Sequence, residues 1–231
     1  MKKVIILILM CCLVLSYPKN TYAMENEDCN GDLNIEEGAE EYFLTQEDII
    51  RNNRKMENVK KINQKGSRAT TYYTLDVPTF QQETNYYCGP ATVKQTVHFI
   101  KGASNSQSFY ANALETTSAG TDMTKIPGVL RTYSGGDYNY VSIGDYTNWC
   151  NQLIGGLSTG LPPILDINTK NVSVWPYATS GHFLNVSGYN NNPTVKVRVT
   201  DPYVKGLGNH WYSGPDVYAA NYAHFRQAMI W

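Results

Sequence analysis

The feature that most narrows the fold is a pair of short runs, His182–Tyr189 and Thr194–Asp201, joined by Asn190-Asn191-Asn192-Pro193. Asn tolerates turn conformations and Pro cannot continue a central strand, so the joint reads as a turn of four residues. The flanks are rich in Val, Tyr and Thr, which suit a pleated, half-buried surface. An antiparallel hairpin follows. With Tyr189 opposite Thr194, Leu184 faces Val199, Val186 faces Val197 and Gly188 faces Val195. That face is apolar. The other carries Asn185 against Arg198 and Ser187 against Lys196, a set suited to solvent.

The same register sets His182 directly opposite Asp201, where cross-strand Cβ atoms lie about 4.5–5.5 Å apart. A carboxylate there can accept the imidazole N–H, fix its tautomer and stabilise the imidazolium, leaving the second ring nitrogen for a thiol. A one-residue bulge would break the pairing. Taken alone, a histidine at a strand end is more often a structural hydrogen-bonding group; a suitable cysteine elsewhere reverses the ranking. Among the other histidines, His98 reads as a helix-face residue, and His210 and His224 as packing or surface residues in Trp/Tyr-rich segments. No Cys/His spacing fits a zinc site, so neither metal nor cofactor is expected.

The cysteine is Cys88. In Cys88-Gly89-Pro90-Ala91, proline suits a first helical turn, where its missing N–H is not needed, and Pro90, Val93, Val97 and Ile100 recur at helical spacing. A helix over Pro90–Lys101 therefore presents Cys88 at its N-terminus, where the positive end of the dipole favours the nucleophilic thiolate. Gly89 allows close backbone approach there. Further helices are predicted over Gln107–Thr116 and Asp145–Leu157, and a strand over Leu161–Asn168. The class is α+β: a nucleophile-bearing helix packed on an antiparallel sheet.

The front of the chain has a different character. Lys2-Lys3 precede 12 apolar residues, Val4–Leu15, and Thr21-Tyr22-Ala23 supplies a small-x-small pattern, so residues 1–23 read as a secretory signal. The run is short of the roughly 20 residues that a membrane span needs, and no second long apolar stretch follows. Met24–Ile50 holds ten acidic residues and no basic one; Arg51–Arg68 holds seven basic and one acidic; the remainder balances nine against nine. Such blocks favour solvated chain or a loose helix. Residues 24–68 are therefore expected to be a low-order spacer or inhibitory pro-segment, with the domain over 69–231. Asp28–Asn34 places oxygen ligands like a calcium loop, but Leu33 replaces the turn glycine and Ala39 the closing carboxylate. A net charge of −1 removes any electrostatic case for nucleic acid. After signal removal three cysteines remain, Cys29, Cys88 and Cys150; a Cys29–Cys150 disulfide would leave Cys88 free.

Four segments together resemble papain-like cysteine peptidases, specifically secreted relatives of the bacteriocin-leader-processing peptidase family thirty-nine: Val77-Pro78-Thr79-Phe80-Gln81-Gln82, Cys88-Gly89-Pro90-Ala91, Gly181-His182-Phe183 and Val199-Thr200-Asp201-Pro202. The likeness covers roughly Asp76 onward. It implies a papain-like fold, with Cys88 as nucleophile, His182 as base and acid, Asp201 as orienter, and Gln82 as oxyanion donor six residues before the cysteine. Gln81 is the competing neighbour. Two features depart from the family: Tyr87 stands where an aspartate is frequent, and no transporter spans accompany the domain. The expected activity is hydrolysis of peptide bonds in a peptide or protein substrate, outside the cell or at its wall. The rival readings are a cell-wall amidase or endopeptidase, an acyltransferase using the same residues, and a non-catalytic tyrosine-rich binding module. Trp175–Tyr177 is a candidate wall of a specificity pocket.

Overall fold

The computed structural model describes residues 42–65 and 71–231. The signal segment, the calcium-like loop, Cys29 and the boundary at 68–69 lie outside them.

In chain order the elements are α1 (Gln46–Lys65), β1 (Tyr72–Thr74), α2 (Cys88–Lys101), α3 (Gln107–Leu114), a 3-10 turn (Met123–Lys125), α4 (Ile126–Ser134), β2 (Tyr140–Ser142), α5 (Tyr146–Ser158), β3 (Ile164–Asp166), β4 (Phe183–Asn190), β5 (Lys196–Asp201), β6 (Gly208–Ser213), α6 (Gly214–Tyr222) and β7 (Ala228–Ile230). Among the described residues the strands form one seven-stranded sheet, ordered β2-β7-β3-β4-β5-β6, with β1 also pairing to β4. Every named strand pair is antiparallel. The helices start where local chemistry allows: Ser106 and Asp145 accept backbone N–H bonds at the starts of α3 and α5, and Gly102 and Gly135 end α2 and α4 in left-handed conformation.

Two apolar cores divide the molecule. One gathers Trp149, Leu153 and Leu157 of α5 with Leu184, Val186, Tyr189, Val197 and Val199. The other gathers Val93 and Val97 of α2 with Tyr110, Leu114, Ile126 and Leu130, reaching Phe183 and Ile230. The solvent-facing assignment is corrected for Asn185 and Ser187, whereas Lys196 is exposed and Arg198 half-buried as that face predicts. Asn185, Ser187 and Thr200 are fully buried. Their polar groups satisfy one another and α2: Gln95 Nε2 donates to Asn185 Oδ1 (2.9 Å), Asn185 Nδ2 to Thr96 Oγ1 (2.7 Å), and Thr200 Oγ1 to Ser187 Oγ (2.8 Å).

The hairpin forms, but in another register. β4 runs to Asn190 opposite Lys196, so the connection is longer than the predicted turn. The ladder then shifts between Val186 and Gly188, leaving Val186 opposite Val199 and Asn185 opposite Thr200. The longer connection and the bulge together amount to an even displacement from the predicted register beyond Val186. Side-chain parity there is preserved.

The low-order expectation is corrected over 46–65. Here the chain is a helix with one buried face: Asp48, Lys55 and Val59 are all under 10% exposed. Lys55 Nζ donates to the carbonyls of Trp231 (2.6 Å) and Asp137, and Arg51 and Arg54 pair with the Asp137 carboxylate. Burial pushes the Lys55 ammonium pKa down to about 8 against the pull of Asp137. Asn52 Oδ1 accepts from Trp231 Nε1 at 2.8 Å. Charge segregation hid this face because its apolar residues, Met56 and Ile62 packed on the α5 core and the buried Val59, are interspersed with Lys and Arg.

Candidate active site

Cys88 is the first residue of α2, and Tyr87 before it supplies no side-chain cap. Ala91 N–H closes the first turn on the Tyr87 carbonyl (2.8 Å), and Pro90 has no N–H to satisfy. Gly89 is dictated by packing: a Cβ there would lie 2.5 Å from Thr121 Oγ1, so only glycine lets the 116–122 loop close on the helix start. Thr92 Oγ1 donates to the Phe183 carbonyl at 3.0 Å, fastening α2 beside the residue that follows His182.

His182 sits immediately before β4 and is fully buried. Its backbone N–H donates to Asp166 Oδ1 of β3 (2.9 Å), and its Nε2 lies 2.8 Å from Asp201 Oδ1. Its ring is also hydrogen bonded to Cys88. With Nε2 engaged by Asp201, Nδ1 is the nitrogen left for the sulfur. Burial alone pushes the imidazole pKa down; the charge and hydrogen bond of Asp201, with those of Cys88, overcome it and push the pKa up to about 10.

The His182–Asp201 contact was anticipated for a partly wrong reason. In the observed register the two are diagonal neighbours, a separation that long side chains bridge. Asp201 accepts three hydrogen bonds, from His182 and the Tyr203 N–H (2.8 Å) at Oδ1 and from the Tyr177 hydroxyl (2.5 Å) at Oδ2.

The structure separates the two glutamines. Gln82 is 7% exposed, whereas Gln81 is an exposed residue, anchored by its carbonyl to Gln107 Nε2 (2.7 Å). Gln82 N–H donates to the carbonyl of Pro202, next to Asp201, at 2.9 Å. Its Nε2 donates to the Thr84 carbonyl at 2.8 Å. The amide carries a second N–H, and its Oε1 is buried without a partner. The ensemble brings a thiol, a buried imidazole and a buried carboxylate into one contact chain, with the Gln82 backbone amide bonded beside Asp201.

Asp166 and Gly206 carry no sequence signal for this site, and Tyr177 figured in the sequence only within the candidate pocket wall Trp175–Tyr177. Tyr177 is buried, so the expected pocket wall is instead a packing and hydrogen-bonding residue. No period places a loop tyrosine on a carboxylate 24 positions away. His224 is buried too, with Nε2 3.5 Å from Asp166 Oδ2. Cys150 is buried against the Tyr189 and Tyr146 hydroxyls, and burial raises its thiol pKa. Among the described residues, neither Cys88 nor Cys150 is in a disulfide. No group of three or more His, Cys, Asp or Glu residues able to hold a metal occurs among the described residues, and no helix among them is long and apolar enough to cross a membrane.

Solved structures share this architecture. A double-glycine-motif protease from an AMS/PCAT transporter, determined with its leader peptide, superposes with a TM-score of 0.50 at 14% identity, covering 68% of this chain and 91% of that one. Xylellain, a cysteine protease from Xylella fastidiosa, gives 0.50 at 13% identity over 89% of this chain and 95% of its own. No curated protein sequence matches. The fold is that of papain-like cysteine peptidases, with a thiol-bearing helix set against an antiparallel sheet. Residues 74–230 match the Peptidase C39-like family, and the chain belongs to it: it is a cysteine peptidase.

Proposed function

We propose that the protein is a secreted peptidase that cleaves peptide bonds through an acyl-enzyme on Cys88. The observation that carries this reading is the single imidazole shared by Cys88 and Asp201 at the start of α2. A His182 pKa of about 10 means the ring is protonated at neutral pH, and its charge beside the sulfur favours the thiolate. The thiolate attacks the scissile carbonyl, and the Gln82 amide with first-turn backbone N–H groups stabilises the oxyanion. His182 passes its proton to the leaving amine. The neutral ring then takes a proton from water, which attacks the thioester and releases the acid product. Asp201 holds Nε2 throughout, so Nδ1 stays directed at the sulfur.

Secretion rests on the 1–23 pattern. A peptide substrate fits the family and the peptide complex of the double-glycine-motif protease. The test is turnover of a peptide library by the wild type and by Cys88→Ala, with mass mapping of a peptidyl thiol-protease probe. Label on Cys88 and loss of turnover in a folded Cys88→Ala variant are expected; retained hydrolysis by Cys88→Ala would overturn the reading.

A further inference from the structure

We infer that Tyr177 is a positioning residue of this site, acting on His182 through Asp201; this rests on the catalytic reading above. Its hydroxyl donates to Asp201 Oδ2 at 2.5 Å while Oδ1 takes His182 Nε2 and the Tyr203 N–H at 2.8 Å each. Both carboxylate oxygens therefore have donors. The Tyr177 phenol serves the second one, the oxygen that the imidazole does not touch.

The surroundings hold the phenol in that role. Tyr177 lies in the connection between β3 and β4, where a side chain would otherwise be free to move, but its carbonyl accepts from Thr169 Oγ1 at 2.8 Å in a buried contact. Its ring packs edge-on against His182 (centroids 5.4 Å apart) and Tyr203 (5.0 Å). Gly206 closes the far side: a Cβ there would fall 2.5 Å from Asp201 Oδ2 and 2.8 Å from the Tyr177 ring. A glycine at 206 lets the 202–207 loop press against the phenol–carboxylate contact. Asp201 can neither rotate about its Cβ–Cγ bond without losing a donor nor gain a replacement from bulk water, since it is 1% exposed. Tyr177 thus fixes the carboxylate plane that aims Nε2, and through it the nitrogen facing Cys88.

A packing role and a positioning role predict different results for Tyr177→Phe, which keeps the ring and removes the donor. Positioning predicts that kcat falls roughly tenfold, the scale of one buried hydrogen bond to a charged group, with KM within about twofold. It also predicts that the basic limb of kcat/KM moves to lower pH, because a carboxylate held less firmly gives His182 less of the support that raises its pKa to about 10. In an Asp201→Asn background, the same Tyr177→Phe change should lower kcat by less than about twofold, since the carboxylate it serves is gone. Thermal melting of each variant confirms folding, and Tyr177→Trp, which restores a donor on another frame, should recover part of the basic limb. An unshifted pH profile for Tyr177→Phe, or equal losses in the wild-type and Asp201→Asn backgrounds, overturns the inference. Those results leave the catalytic reading standing if Cys88→Ala is inactive; a fully active Cys88→Ala overturns that reading instead.

Discussion

The molecule holds two buried histidines, each beside a buried aspartate, and their chemistry diverges. His182 lies 2.8 Å from Asp201, and its pKa is pushed up to about 10; His224 lies 3.5 Å from Asp166, and burial followed by the charge of Arg226 pushes its pKa down to about 3. His182 is cationic at neutral pH and His224 is neutral, so the second contact is not an ion pair. Burial is nearly complete at both. The difference comes from what each ring faces: Asp201 and Cys88 both raise the His182 pKa, whereas burial and Arg226 lower that of His224. Asp201 directs Oδ1 at the ring and meets no guanidinium among its contacts, whereas Asp166 gives Oδ1 to the His182 backbone N–H, and Arg226 disfavours a second cation nearby. A histidine beside a buried aspartate does not by itself hold a proton; the short Asp201 contact with no competing cation raises the His182 pKa, and the longer Asp166 contact beside Arg226 leaves that of His224 lowered.

The largest effects that would break this contrast fall on the first pair. Replacing Cys88 or His182 by alanine should lower kcat/KM by roughly 10⁴-fold or more, read as peptide hydrolysis, while His224→Gln leaves the enzyme active. Asp201→Asn should follow, with a loss on the order of 10²–10⁴-fold, because an amide neither stabilises the imidazolium nor enforces its tautomer. Gln82→Ala should reduce kcat by roughly 10²–10³-fold and Gln81→Ala should not, which tests the buried glutamine against the exposed one.

The pH dependence of stability sharpens the contrast, because the two rings titrate in opposite directions. His182 binds its proton more tightly when folded, so its contribution is complete below about 6.5, the unfolded value, and is lost as pH rises through about 10. His224 binds its proton less tightly when folded, so its contribution is present above about 6.5 and is lost as pH falls through about 3. Urea midpoints measured across pH should decline on both sides, with His224→Gln flattening only the acid side. The smallest expected effect is that of Cys150→Ala, about 1–2 kcal/mol of stability with catalysis retained, since that thiol fills a core between two phenols.

The same contrast shows how far sequence reasoning reaches. The start of α2 and the hairpin were legible because local rules govern them, proline in a first turn and side-chain alternation along strands; that Cys88 meets His182 was implied by the family resemblance and by no spacing. The register itself was not legible. A longer connection and a bulge at Ser187 displaced it, and the His–Asp contact survived because the displacement was even and diagonal neighbours still touch. Tyr177 and Asp166 escaped because their partners lie far along the chain, and no spacing encodes contacts made by loops. The docking of α1 escaped because a buried lysine on carbonyl groups looks, in sequence, like any other charge in a charged block. The burial of Asn185 escaped for the converse reason: its partners, Gln95 and Thr96, sit on a helix whose polar stripe reads as solvent-facing.

The central claim is that an imidazolium held by Asp201 keeps Cys88 ionised and reactive. It is tested most directly by the rate of iodoacetamide alkylation of Cys88 and Cys150 across pH, each site read by peptide mass. Cys88 should react far faster than Cys150 with little change between about pH 6 and 8, and His182→Ala should return it to the rising curve of an ordinary thiol with pKa about 8.5. A wild-type Cys88 that already follows that ordinary curve would contradict the account.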